Sequence, residues 1–186
     1  MEPTDEKRLA ERLLRGDPEA FRDFVDAYKR RIYGLAFEFT RNHADAEDVS
    51  QTVFIKIHRS MGTFREGASL NAWLYRITVN AAIDHIRKRS FFPSPKAPEL
   101  VSESPADPER DAVRSLLQTK IAAALGRISD RERAVFLLRH DHDLSLKEIA
   151  EALDLTVGAV KSYLFRSIKK LQKELGTLPA PSGPGG

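Results

Sequence analysis

The sequence predicts an all-α fold of two small helical domains joined by a flexible linker, and three observations predict it. Apolar residues recur at three- and four-residue intervals nearly throughout, the period of an amphipathic helix, with no useful stretch of strand alternation. Helix-start signals recur as well. Asp17-Pro18-Glu19 and Asp107-Pro108-Glu109 each offer a capping carboxylate, a first-turn proline and a first-turn acid, while Ser129 with Glu132 and Ser145 with Glu148 read as capping boxes. Between the two groups of helices, the stretch from Phe91 to Pro108 holds five of the ten prolines, and its polar, acidic remainder cannot bury a core. The expected boundaries are 1–90 for the first domain, 91–108 for the linker, 109–175 for the second domain and 176–186 for a disordered tail.

Each element has its own justification. A short helix runs through Leu9, Leu13 and Leu14, and Gly16 stops it. From Asp17 a long helix buries one face made of Phe21, Phe24, Val25, Tyr28, Ile32, Leu35 and Phe39. A third helix spans about Ala44 to Ser60, with Ala46, Val49, Val53 and Ile57 inward and Gly62 as its end. After a loop from Thr63 to Ser69, a fourth helix from Leu70 to Arg89 buries Trp73, Leu74, Ile77 and Ala81. The second domain starts with a helix lined by Leu116, Leu117, Ile121, Ala124 and Leu125. Further helices start at the two capping boxes, and a last one is capped by Thr156 and buried through Val160, Leu164, Ile168 and Leu171.

Composition bounds the function. With 41% hydrophobic and 31% charged residues the chain is an ordinary globular one. It has no cysteine, which excludes disulfides and thiolate metal sites. No apolar run approaches membrane-spanning length and the charged N-terminus does not resemble a signal peptide, so a cytoplasmic location without membrane insertion is expected. The net charge of +3 is modest, but its distribution is not even: residues 141–155 hold five acids and one base, whereas 156–175 hold five bases and one acid. Such a sign change marks one face that attracts polyanions.

Two constellations carry the chemistry. LSLKEIAEALDLTVGAVKSYLFRSIKKLQ, from Leu144, has helix-turn-helix spacing: a two-turn helix, a short turn at Asp154-Leu155, then a longer helix starting at Thr156. Small Ala150 fits where the helices touch, and Asp154 tolerates the left-handed turn position better than most residues. The outward face of the second helix presents Lys161, Ser162, Phe165, Arg166, Lys169 and Lys173, side chains that bond guanine edges or phosphates or touch a thymine methyl. A solvated basic face on a three-helix bundle is the plainer alternative. In the first domain, Asp45, Glu47 and Asp48 crowd a helix start followed by Gln51 and Phe54, where acids also simply favour the helix dipole. The next helix carries a polar stripe of Arg76, Asn80, Asp84 and Arg87, extended by Lys88 and Arg89.

DAEDVSQTVFIKIHR at Asp45, WLYRITVNAAIDHIRKR at Trp73 and the helix-turn-helix from Leu144 together resemble, in order and spacing, the blocks of bacterial RNA polymerase sigma factors of the extracytoplasmic-function class. The resemblance spans nearly the whole chain apart from the linker and the ends. It implies a sigma region 2 bundle followed by a sigma region 4 helix-turn-helix. The first would dock on the clamp helices of the polymerase largest subunit through Asp45, Glu47, Asp48, Val49, Gln51 and Phe54. Phe64 in the loop, with Arg76, Asn80 and Arg87, would take a flipped base of the minus-ten element, where capture must offset a few kcal/mol of lost stacking and pairing. The second domain, near the flap of the second-largest subunit, would read the duplex minus-thirty-five element through Thr156, Lys161, Ser162, Phe165, Arg166 and Lys169. The linker would follow the RNA-exit path. The resemblance also implies an anti-sigma partner, a monomer when free, and no catalytic residue, metal or cofactor. Thr52 and His58 depart from it, standing where a glutamate and a tryptophan are usual, and one carboxylate fewer would retune core docking.

Two rivals remain at the level of sequence. A dimeric helix-turn-helix repressor would need a dimerisation element, and no coiled-coil heptads are present. An enzyme acting on nucleic acid would need a reaction centre. The five histidines are scattered, and His140-Asp141-His142 places its two imidazoles at alternate positions that do not share a helix face.

Overall fold

The computed structural model describes residues 3–61, 64, 69–91, 120–121 and 123–175. Seven helices follow in order among them: α1 (Pro3–Leu14), α2 (Pro18–Thr40), α3 (His43–Ser60), α4 (Leu70–Phe91), α5 (Asp130–His140), α6 (Leu146–Leu153) and α7 (Val157–Leu175). Short helical backbone at 123–126 precedes α5. Most of the expected linker, the positions of Leu116 and Leu117 and the tail 176–186 lie outside the described residues. At its near end, Phe91 belongs to α4 rather than to the linker.

Local chemistry sets the ends. The Asp17 carboxylate accepts the Glu19 amide at 2.9 Å, and Pro18 opens α2. Gly16 adopts φ 73°, and the amides of Gly16 and Asp17 bond back to the carbonyls of Leu13 and Arg12, closing α1 as a Schellman turn. Both predicted capping boxes form, at Ser129 and at Ser145. Two ends differ from expectation. α2 ends on Arg41 in the left-handed region, φ 52°, a conformation glycine would adopt more easily. Asn42 then caps α3, its side-chain oxygen accepting the Asp45 amide at 3.0 Å, so the helix starts at His43, just ahead of the expected Ala44.

α2, α3 and α4 pack on one another around Phe24, Tyr28, Ile32, Leu35, Val53 and Ile57, all essentially fully buried. α5, α6 and α7 form a second group around Leu125, Leu137, Leu138, Ile149 and Val160. α4 is where the expectation of one buried face fails. Leu70, Ala72, Trp73, Leu74, Tyr75, Val79, Ala81, Ala82 and Ile83 are all buried, whereas Ile77 is only half-buried. The reason is tertiary: α4 packs on α2 and α3 and also against α6 of the second group. A helix apolar nearly all round is a helix covered on more than one side.

Candidate docking and nucleic-acid interfaces

α3 displays part of the acidic set. Glu47, Asp48 and Gln51 are exposed, and Phe54 is half-buried beside them. They border a shallow groove of about 400 Å³, walled by Lys29, Arg30 and Tyr33 of α2 and by Glu47, Ser50, Gln51 and Phe54 of α3. Two other members are placed differently. Val49 is fully buried on the inner face of α3, because its register puts it with Ala46 and Val53; it supports the face without being on it. Asp45 joins helices within the bundle, its carboxylate 3.2 Å from His85 Nε2 and paired with Arg89 of α4. Of the two departures, Thr52 is exposed, while the His58 ring meets Phe21 edge-on at 5.1 Å between centroids.

The α4 stripe is exposed at Arg76, Asn80, Asp84 and Arg87, four positions on one helix face. Asp84 approaches Lys56 at 3.8 Å, and Arg87 Nη2 donates to Asp130 Oδ2 of α5 at 2.8 Å. Phe64 is buried, with its ring 5.2 Å from that of Trp73. Packed against the tilted indole, it does not offer its face to a base, a correction to its expected position.

The helix-turn-helix forms as its spacing implies. Asp154 takes φ 53°, ψ 55°, and the Leu155 amide reaches back to the Ala150 carbonyl at 2.8 Å. Thr156 Oγ1 accepts the Ala159 amide at 3.1 Å and so starts α7. Lys161, Ser162, Phe165, Arg166 and Lys169 are exposed together along α7, and Phe165 is 68% exposed, the most exposed large apolar side chain described. Val160, Ser167 and Leu171 hold the opposite side in the core.

Tyr163, Lys170, Arg133 and Glu38 were not singled out by the sequence. The guanidinium of Arg166 lies over the Tyr163 ring at 4.7 Å and its Nε is 3.7 Å from Glu132 Oε1; Lys170 Nζ reaches Glu132 Oε2 at 2.8 Å. Arg133 crosses to the first group, where Nη2 donates to the Glu38 and Phe39 carbonyls, both at 2.7 Å, and the guanidinium covers the Phe39 ring. Burial, then the neighbouring Arg41 charge, lower the Arg133 pKa to about 10, which leaves it charged at neutral pH. His142 sits between Glu38 (Nε2 to Oε2, 3.0 Å) and the Tyr75 hydroxyl (Nδ1, 3.4 Å). That placement gives the histidine of the superficial His-Asp-His pattern a carboxylate and a phenol as neighbours. No helix among the described residues is long and apolar enough to cross a membrane.

Comparison with known proteins completes the picture. The family described as Sigma-70 region 2 matches residues 24–92, and that described as Sigma-70, region 4 matches residues 118–171. The chain is 35% identical to the ECF RNA polymerase sigma factor SigW of Bacillus subtilis, over 92% of this chain and 97% of that protein. Among solved structures, CnrH in complex with the cytosolic domain of CnrY aligns with a TM-score of 0.73 at 25% identity, covering 94% of this chain and 99% of that one. The sigma factor RpoE in complex with the anti-sigma factor NepR from Bartonella quintana aligns with a TM-score of 0.64 at 24% identity, over 86% and 98% of the two chains.

Proposed function

This chain belongs to the extracytoplasmic-function class of RNA polymerase sigma factors, promoter-specific initiation factors of transcription, and on that premise we propose how its surfaces divide the work. Glu47, Asp48, Gln51 and Phe54, with the groove beside them, dock on the clamp helices of the polymerase largest subunit. Arg76 and Asn80 on α4 engage the minus-ten element as it opens, with Arg87 joining once it leaves Asp130. Lys161, Ser162, Phe165, Arg166 and Lys169 on α7 lie in the major groove of the minus-thirty-five element, and Thr156 fixes the start of that helix. Residues 1–90 and 109–175 act as the two domains, with 91–108 as the tether and the second domain near the polymerase flap.

The observation that carries this reading is the exposed face of α7. A phenyl ring left 68% exposed on a helix whose other side packs into the core has no folding rationale, and it stands among cations on the second helix of a helix-turn-helix. Opening then proceeds by capture of unpaired bases, without nucleotide hydrolysis or other catalysis by this chain. The protein works in the cytoplasm as a monomer until it meets core polymerase or an anti-sigma partner; the complex of RpoE with the anti-sigma factor NepR supports the last of these.

In vitro transcription with a bacterial core polymerase and a library of promoters tests the reading. Start sites sharing two sequence blocks are the expected result. Transcription that stays random with and without the chain overturns it, as does a stable dimer that grips palindromic DNA unaided.

A further inference from the structure

Glu132 is buried to 3% exposure at the start of α5, an unusual place for a carboxylate. Its capping bond accounts for part of this, since Oε2 accepts the Ser129 amide at 2.9 Å. The second capping box is an internal control. There Glu148 makes the same bond to the Ser145 amide at 2.7 Å, yet it is exposed. A cap therefore needs neither the burial nor the second set of contacts that Glu132 makes. Apart from a second bond from the Ser129 hydroxyl at 3.0 Å, those contacts go to α7: Lys170 Nζ at 2.8 and 2.9 Å, and Arg166 Nε at 3.7 Å.

Arg166 is flanked on two sides, by the Glu132 carboxylate 3.7 Å from Nε and by the Tyr163 ring 4.7 Å away, while its side chain remains 54% exposed. The restraint acts on the inner edge of the guanidinium. The outer pair of nitrogens is the end suited to a two-bond contact with a guanine edge. A long side chain with many rotamers that is fixed before binding loses less freedom on binding, and presents its fork in one geometry. We propose that Glu132 is a positioning residue for promoter recognition: its buried carboxylate orients Arg166 toward the base edge, with Lys170 as the counter-charge that lets it stay ionised there. Burial pushes the Glu132 carboxyl up, but the Lys170 ammonium and the Ser129 bonds outweigh that and leave it below the ordinary glutamate range.

The inference rests on the reading of α7 as the minus-thirty-five helix, and the experiment separates the two. Holoenzyme made with the full chain is assayed on promoters differing by single base pairs in the upstream element, with the downstream element held constant. Arg166→Ala first identifies the base pairs that this residue discriminates; if no preference changes, the α7 reading fails and the inference with it. Glu132→Gln keeps an oxygen for the Ser129 amide but removes the charge. It is expected to flatten the preference at those same base pairs by about 5-fold or more, the low end of what one good base contact supplies, and to add nothing in the Arg166→Ala background. Lys170→Met removes the counter-charge that keeps Glu132 ionised, and is expected to flatten the preference at the same base pairs, by no more than Glu132→Gln does. An even loss at every upstream sequence with Glu132→Gln overturns the proposal, because it would make Glu132 a brace for the helix and nothing more.

Discussion

Phe165 shows most simply how a single side chain separates folding from function. A ring 68% exposed contributes little to the core, so Phe165→Ala should leave thermal stability within about 0.5 kcal/mol of the parent chain. Promoter selection should nevertheless suffer if, as proposed, the ring meets a thymine methyl. Melting temperature and transcription, measured on the same preparation, check the two halves; a large drop in melting temperature with unchanged transcription would contradict both. Glu132 makes the opposite case, a polar group whose burial ties it to stability. Its folded pKa lies below the ordinary value, so the unfolded chain binds its proton more readily. The stability it contributes is full above the ordinary glutamate range and is lost as pH falls through the lower folded value. Glu132→Gln should therefore flatten the acid limb of a stability-against-pH curve measured by chemical denaturation, and an unchanged limb would show that the Lys170 pair contributes nothing.

At the scale of elements, the helix-turn-helix depends on one left-handed residue. Asp154 sits at φ 53°, where a branched side chain is crowded. Asp154→Val should cost about 1–2 kcal/mol, read from the denaturation midpoint, and should weaken DNA recognition by displacing α7. α3 gives a second test. Asp48 is exposed beside the groove, so Asp48→Arg should leave the fold intact while abolishing co-purification with core polymerase. Retained association would remove α3 from the docking surface. These elements also show what the chain made legible. Asp17, Ser129, Ser145 and Asp154 were readable because a cap or turn is a contract between a side chain and backbone two to four residues away. Asn42 was just as local and could have been found by the same signal, an Asn followed by an acid. The burial of Val49 and Phe64 inside their faces, and the capture of Asp45 by His85 and Arg89, depend on helices far apart in sequence. Spacing on one helix does not show which partner another helix brings.

At the scale of the whole molecule, the two helical groups are fastened together, and on the proposed reading that arrangement is not the one that spans a promoter. Arg133 caps the C-terminal end of α2 with two 2.7 Å bonds, where the carbonyl ends of the helix favour a cation. His142 bridges Glu38 and Tyr75, and Arg87 joins Asp130. α6 touches both α4 and α7, so two successive helix packings separate the proposed minus-ten and minus-thirty-five readers, roughly 20 Å between axes. The two elements, about 25 base pairs apart by their names, lie roughly 85 Å apart along B-DNA at ~3.4 Å per pair. The proposed tether beyond α4, residues 92–108, drawn taut at ~3.3–3.6 Å each, reaches about 56–61 Å, far more than the ~20 Å between the two readers in the fastened state. On the proposed reading the groups part on the promoter, and the Arg133 contacts break when they do. A pair of fluorophores on α1 and α7 should therefore report a short distance in the free chain and a long one in the promoter complex. Arg133→Ala should shift the free chain toward the long distance, since it removes both carbonyl bonds and the stacking on Phe39 at once. Because the proposed readers other than Arg87 are already exposed in the fastened state, the same substitution should leave the affinity of α7 for a short minus-thirty-five duplex unchanged and accelerate the formation of holoenzyme. A free chain whose distance does not respond to Arg133→Ala would show that the apolar contact of α4 with α6 holds the groups together without it.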